Sequence, residues 1–405
     1  MNEEGLRGAH GAGPQGVCGD GQRGLSGDGQ RGADRTGRRD VDSTNGWADE
    51  ALRLLFRRVE ETAGQVGGRF PLYADPDDGR WTTTGRGSWT GGFWAGLLWL
   101  RARHTGRETD RAAASAATVG LAPWAEADTA TRGLILWYGT ALATEDDRAD
   151  ALRDHAAKAA LAAWEPAVGL VPWGAALGGS RLRARADGVP GLVPLLTYAG
   201  PEGRAAAAAH LHRHLDLCLA GEEGQRPRPA WHWAEARGAW AAEMDPAPGW
   251  ARGEAWLLLA LADGLLRAES EAGWRTDRLT ACTEQLIREG EFLDGPLVPP
   301  AEAPAPDGPA DTSAAAIAAV ALLKLARIPG TRRATEYAAR AEAVLRRLVD
   351  AHLTRPGGTR PAGMLLDGCY EAKSGIAVRH ELVWGDFFLA LGLAALRDTV
   401  DLTHV

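Results

Sequence analysis

The sequence predicts an all-α protein, an (α/α)6 barrel of twelve helices, and three observations predict it. Apolar periodicity of the helical kind recurs along most of the chain, with almost no strand-like alternation between the periodic segments. The segments alternate in character. Odd-numbered ones are amphipathic and charged, as in ADEALRLLFRRVEE and TRRATEYAARAEAVLRRLVD. Even-numbered ones are nearly uncharged, as in DTSAAAIAAVALLKLA and ELVWGDFFLALGLAAL, and so are buried all round. An open solenoid would alternate too, but it would carry a sequence repeat of fixed length, and the helix pairs show none.

The first 46 of the 405 residues stand apart. They hold 13 of the 52 glycines, a repeated octad (Gly19 to Ser26, then Gly27 to Asp34) and no apolar periodicity. Such a segment buries too little apolar surface to offset its ordering entropy, so residues 1–46 are expected to be a disordered tail. Seven acidic and six basic residues nearly cancel there, unlike a nucleic-acid-binding arm. Residues 47–400 are expected to form one barrel domain, with helices near 47–65, 91–104, 110–120, 129–144, 147–164, 187–199, 203–219, 250–268, 275–289, 311–326, 331–351 and 381–397.

The second of these helices anchors the pattern. Ser88 to Leu100 runs thirteen residues without a charge and spaces Trp89, Trp94 and Trp99 five apart, so it reads as an inner helix. Each inner helix follows an outer one, so all six start on the same side. Their N-termini would ring one mouth with partial positive charge and free N–H groups, suited to an anionic ligand despite a net charge of −8. Ser88, Asp128, Asp187, Arg252, Asp311 and Asp386 lie at the starts of these helices, where capping is their ordinary use. For Asp311, followed by Thr312 and Ser313, capping is the expected role.

Asp187 follows Arg183 and Arg185 and leads the apolar GVPGLVPLLTYAG. It either caps the helix, pairs with Arg185, or faces a pocket as a proton donor. Tryptophan usage bears on that choice. Sixteen tryptophans stand against five tyrosines and six phenylalanines, and Trp89, Trp173, Trp231, Trp233, Trp250 and Trp256 fall at loop–helix junctions. Amphipathic rings around a pocket suit sugar faces, although packing around loops accounts for several of them.

Other chemistry finds little support. His210 and His214 share a helix face but are expected on an outer, solvated one, so no metal is expected. Gly85-Arg86-Gly87 lacks the context of a phosphate loop, and no nucleophile elbow appears. Four scattered cysteines, no signal-peptide core and no apolar run of membrane-spanning length lead to the expectation of a cytoplasmic protein without nucleic-acid or membrane partners.

SWTGGFWAGLLWL resembles a hallmark of the unsaturated glucuronyl hydrolases, family 88 of the glycoside hydrolases, and is similar to the related rhamnogalacturonyl hydrolases. VPWGAALGGSRLRARADGVPGLVPLLTYAG, AWHWAEARG, WARGEAW, DTSAAAIAAVALLKLA and WGDFFLALGLAAL resemble further blocks of that family, in order from about Trp47 to Leu396. The resemblance implies an (α/α)6 barrel, no cofactor, and a small anionic oligosaccharide ending in a 4,5-unsaturated uronic acid as substrate. It implies protonation of the C4=C5 bond by an Asp, addition of water at C5, and ring opening that releases the next sugar. By motif, Asp187 matches the catalytic acid/base. Trp89 and Trp173 match sugar-stacking residues, and His232, Arg252 and Trp256 match substrate-binding ones.

The chain departs from the family at several positions. Thr131 stands where a second functional Asp is expected, with Asp128 keeping only the first acidic position of that block. Gly91 and Glu254 replace an Asp and a Gln, and the loop from His232 to Arg252 is shorter. Two functional readings follow: a hydrolase that uses Asp187 with altered partners, or a catalytically degenerate relative that binds a sugar acid or acts as a scaffold. An open pocket with Asp187 facing Trp89, Trp173 and Arg252 separates the first from the second. In the first reading Arg252 and Arg132 serve the anion and Arg185 faces outward.

Overall fold

Twelve helices follow one another in the computed structural model, which describes residues 46–221, 224–268 and 272–405. They are α1 (Gly46–Val66), α2 (Gly91–Thr105), α3 (Glu108–Gly120), α4 (a π-wound turn, Gly133–Trp137, running into Tyr138–Thr140), α5 (Asp147–Ala162) and α6 (Leu192–Thr197). The second half adds α7 (Gly200–Cys218), α8 (Ala251–Arg267), α9 (Thr276–Glu289), α10 (Thr312–Ala326), α11 (Ala334–Ala351) and α12 (Val383–Leu396). The expected tail, Gly46 apart, lies outside the described residues.

The alternation of outer and inner helices is as expected. Every residue of α8 from Ala251 to Gly264, of α10 from Thr312 to Leu325 and of α12 from Val383 to Ala395 is buried. The odd helices keep a polar face in solvent. Each inner helix packs on the next, α2 on α4, then α6, α8, α10 and α12, and α12 closes onto α2. The ring is therefore shut, as a barrel requires and a solenoid does not.

Aromatic rings fill the axis. Phe93 lies 5.3 Å from Tyr138, 6.1 Å from Trp256 and 5.5 Å from Phe387, measured between ring centroids. Two glycines let the inner helices approach this closely. A Cβ on Gly92 would sit 2.3 Å from the carbonyl oxygens of Leu134 and Ile135, and one on Gly133 would sit 2.1 Å from the nitrogen of Leu192. Any side chain there would push α2, α4 and α6 apart, and with them the residues at their starts.

Two inner helices are shorter than expected, and each has a local cause. The segment expected over 187–199 begins as a single 3-10 turn, Ala186–Gly188, and becomes α6 only at Leu192. Pro190 lacks an amide donor and Gly191 takes φ +71°, which no continuous helix accommodates. The segment expected over 129–144 is reduced to α4, wound tightly against its neighbours through Gly133 and Gly139.

Among the described residues seven short strands, which the sequence pattern did not predict, occupy loops between the helices. β1 (Phe70–Ala74), β2 (Trp81–Thr84), β6 (Gly368–Glu371) and β7 (Ile376–Leu382) form one antiparallel sheet in the order β2-β1-β7-β6. β3 (Arg183–Arg185), β4 (Ala230–Ala234) and β5 (Ala239–Ala242) form a second in the order β3-β4-β5. At three to seven residues they are too short to declare a period of two.

His210 and His214 are buried, not solvated as expected. The inward face of α7 packs on α6, and His210 accepts from the amide of Val171 at 3.2 Å. Burial pushes both imidazoles down, His214 to about 4, so they are neutral. Among the described residues no cluster of side chains could hold a metal ion, and no helix is long and apolar enough to cross a membrane.

Candidate active site

An open cavity of about 470 Å³ lies at the end of the barrel where the inner helices begin. Residues leading into α2 (Ser88, Trp89), α4 (Thr131), α6 (Asp187) and α8 (Trp250) line it, together with Arg252 in the first turn of α8 and Cys369 to Lys373 from the β6–β7 hairpin. Its volume falls in the range of small-molecule sites.

Five of the six expected site residues come together here: Trp89, Trp173, Asp187, Arg252 and Trp256. Trp256 is 1% exposed and forms part of the floor, packed on Phe93 and, edge-on at 5.4 Å, on Phe388. Trp89 forms part of a wall. Its ring stacks on Tyr370 at 6.1 Å and 17°, and its Nε1 donates to the Tyr370 hydroxyl at 3.2 Å.

His232 is not among the lining residues. It lies on β4 directly across the ladder from Arg183, with its Nδ1 3.8 Å from Glu243 Oε1. Trp231 and Trp233 belong to a small cluster with Trp240, Val168, Leu170 and Ala184, and that packing accounts for them without a ligand.

Arg185 is where the sequence reading failed. It lines the cavity and forks onto Asp187, Nε to Oδ1 at 2.9 Å and Nη2 to Oδ2 at 3.2 Å. The cause is the unpredicted strand β3. Ala184 turns to the buried cluster, so its neighbours Arg183 and Arg185 both turn the other way, into the cavity. The guanidinium of Arg185 also lies over the ring of Trp173, 4.7 Å from its centroid. Burial pulls against the charge on Arg185, but Asp187, with Glu243 and Asp245 farther off, holds its pKa above the ordinary arginine value.

Arg252 is present but engaged. Its Nη1 donates to Asp311 Oδ2 at 2.6 Å and to the carbonyl of Cys369 at 2.5 Å, and its Nη2 donates to the carbonyl of Tyr370 at 2.7 Å. It is 5% exposed, with Trp250 and Trp384 against its guanidinium at 5.2 and 5.5 Å. Asp311 caps α10 as expected, accepting from the amides of Ser313 at 3.0 Å and Ala314 at 3.4 Å. The pair therefore clamps the start of α8 to α10 and the β6–β7 hairpin, and its charges cancel.

The expected positive mouth is not what the side chains build. Each cation in the lining has a carboxylate partner: Arg183 with Glu243, Arg185 with Asp187, Arg252 with Asp311, and Lys373 with Asp245 at 3.8 Å. Among the described residues Glu302 and Glu371 line the cavity without a cationic partner. Arg132 does not reach it. Arg132 is buried beside the start of α4, donates to the carbonyl of Ala127, and has its pKa lowered by burial.

The polar residues at the other helix starts have separate fates. Thr131 lines the cavity with its hydroxyl 2.8 Å from that of Thr129. Asp128 is not among the lining residues, and its carboxylate accepts from the amide of Ala175 at 3.0 Å. Asp386 is sealed in the barrel beside Glu381, and Arg58 forks onto Glu381. Burial and the Glu381 charge push Asp386 far above the usual carboxylate range, so it holds a proton.

No protein-family model matches the chain. A relative named unsaturated glucuronyl hydrolase, from Bacillus sp. (strain GL1), is 26% identical over 385 residues, covering 86% of this chain and 95% of its own length. A solved structure of an unsaturated glucuronyl hydrolase from Bacillus sp. GL1 has a TM-score of 0.73 at 22% identity, over 86% of this chain and 96% of its own. One from Streptococcus agalactiae has a TM-score of 0.75 at 18% identity, over 89% and 94%. Sequence and fold together bear out the expected resemblance: over most of its length this chain is similar to the unsaturated glucuronyl hydrolases, family 88 of the glycoside hydrolases.

Proposed function

We propose that the protein is a glycoside hydrolase acting on oligosaccharides that end in a 4,5-unsaturated uronic acid, with Asp187 as its proton donor. The observation that carries this reading is Asp187 itself, set on an open cavity beside Trp173 and Trp89 in the block that resembles the family's catalytic one. A cavity filled by side chains would have favoured the degenerate scaffold, and this one is not filled.

The chemistry follows from the positions of the groups. The substrate's carboxylate, carried on C5, competes with Asp187 for the fork of Arg185, the cation already poised in the cavity. Asp187 then takes a proton from solvent and delivers it to C4, and the electron pair of the C4=C5 bond forms the new C4–H bond. Positive charge develops at C5 and is shared with the ring oxygen. Water adds at C5 and returns its proton to Asp187. The resulting hemiketal opens, and the hemiacetal left at C1 expels the next sugar as an alcohol. The glycosidic bond is never displaced directly, so the two-carboxylate spacing of ordinary glycosidases does not apply. Thr131, with its hydroxyl held by Thr129, offers a polar neutral group where the family has its second Asp.

A Streptococcus agalactiae relative of the same fold has been solved complexed with dGlcA-GalNAc6S, which supports an oligosaccharide substrate here. The reading also includes a cytoplasmic location, which the free thiols of Cys218, Cys282 and Cys369 support.

The test is turnover of an unsaturated uronyl disaccharide in heavy water. Hydration places deuterium on C4, and NMR of the product reads it there. Release of the sugar with no deuterium at C4 overturns the mechanism, and no release from any unsaturated disaccharide overturns the function.

A further inference from the structure

Two carboxylates in the lining of the active-site cavity have no cation of their own. Arg183, Arg185, Arg252 and Lys373 are each matched by a carboxylate, and among the described residues Glu302 and Glu371 are left over. Both are held on fixed backbone. Glu302 pairs with Trp250 in a short antiparallel bridge. There the amide of Ala251 donates to the carbonyl of Ala301 at 3.0 Å, and that of Ala303 to the carbonyl of Gly249 at 2.8 Å. Glu371 ends β6 opposite Ile376 of β7, and its carboxylate accepts from the Ser374 hydroxyl.

Their charges converge on one stretch of wall. The Cys369 thiol, also in the lining, is pushed up to about 12, first by burial, then by Asp311 against the pull of Arg252, and further by Glu302 and Glu371 together. The two glutamates thus act on the same part of the cavity from separate elements. Both are half-buried, so salt screens them less than it would charges out in solvent.

We propose that Glu302 and Glu371 select the sugar that follows the unsaturated uronic acid, and that this sugar is an amino sugar with a free, protonated amine. The proposal rests on the reading of this cavity as a site for unsaturated uronyl oligosaccharides. Repulsion keeps the uronate carboxylate away from the two glutamates and leaves it to the fork of Arg185, so Glu302 and Glu371 face the next ring. An ammonium offers them three donors and a full charge. An acetamide offers one N–H and no charge, and a sulfate sets a further negative charge against two. The substrate is therefore a zwitterion, its anionic end on Arg185 and its cationic end on the glutamates.

Three unsaturated disaccharides that differ only at the nitrogen of the second sugar test this: a free amine, an acetamide and a sulfamate. In the wild type kcat/KM should fall in that order, by about tenfold from amine to acetamide and further to sulfamate, chiefly through KM. Higher salt should compress the series. The double variant Glu302→Gln, Glu371→Gln should flatten it by weakening the amine and improving the sulfamate, a gain that misfolding cannot produce. Calorimetry on Asp187→Asn reads the same order in binding without turnover. If that variant binds in this order while the wild type consumes none of the three, the selection stands and the proposed reaction fails. Consumption with amine and acetamide alike, a preference for the sulfamate, or an order that survives the double variant would each overturn the selection and leave the reaction standing. Absence of both binding and consumption would overturn the two together.

Discussion

Arg185 grips both carboxylate oxygens of Asp187, at 2.9 and 3.2 Å, while lying over the face of Trp173. One guanidinium thus occupies the expected acid and an expected sugar platform at once. In the proposed reaction a sugar acid entering the cavity takes Arg185 for its own carboxylate, and in doing so it frees Asp187 to carry a proton. In that proposal binding and proton donation are coupled through this single side chain.

Arg185→Ala should therefore weaken substrate binding more than any other change of a cavity cation. Loss of charged hydrogen bonds worth ~1.5–3 kcal/mol corresponds to a rise in KM of roughly 10- to 100-fold. Arg185→Lys should recover only part of it, because a point charge does not reproduce the fork. Steady-state kinetics on an unsaturated disaccharide reads this directly, and an unchanged KM in Arg185→Ala would remove Arg185 from substrate recognition.

Arg252 should behave differently, as a structural clamp. Its partner Asp311 is fully buried, so Arg252→Ala leaves a carboxylate uncompensated and should lower unfolding stability by ~3–5 kcal/mol. Denaturant unfolding measures it. A variant of wild-type stability that has simply lost affinity for uronic acids would restore Arg252 to the binding role that its motif implies.

Glu254 sets a pH dependence of stability. Its folded-state pKa is about 7 against an ordinary 4.5, chiefly because burial disfavours the charge. A raised carboxyl contributes stability fully below pH 4.5 and loses it as pH rises through 7. Glu254→Gln cannot ionise and should be spared this loss. It should gain up to ~3 kcal/mol on the wild type at pH 8 and differ little at pH 4.5. Unfolding curves at the two pH values make the comparison, and a gap that narrows as pH rises would contradict the assignment.

The barrel was legible in the sequence because burial is written there plainly. Helices such as α10 and α12 admit almost no charge, and that alone placed them inside. Trp89, Asp187 and Arg252 were legible as cavity residues because they stand near the starts of inner helices, which the ring converges on one mouth, whereas Trp173 and Trp256 were singled out by the family resemblance. What could not be read was direction. Whether Arg185 faced in or out depended on β3, three residues long, and the telling feature was the single Ala184 between two arginines. Tyr370 and Glu302 reach the cavity from a hairpin and a loop with no periodicity, so nothing local marked them. The occupation of Arg252 by Asp311 joins residues 59 apart in the chain and exists only in the fold.

The central claim is that Asp187 supplies the proton. It is tested by following the loss of double-bond ultraviolet absorbance as wild type and Asp187→Asn act on an unsaturated uronyl disaccharide, with binding measured in parallel. Asparagine keeps the shape and cannot deliver the proton, so the variant should bind the sugar and fail to consume it. Consumption by Asp187→Asn at the wild-type rate would contradict the account.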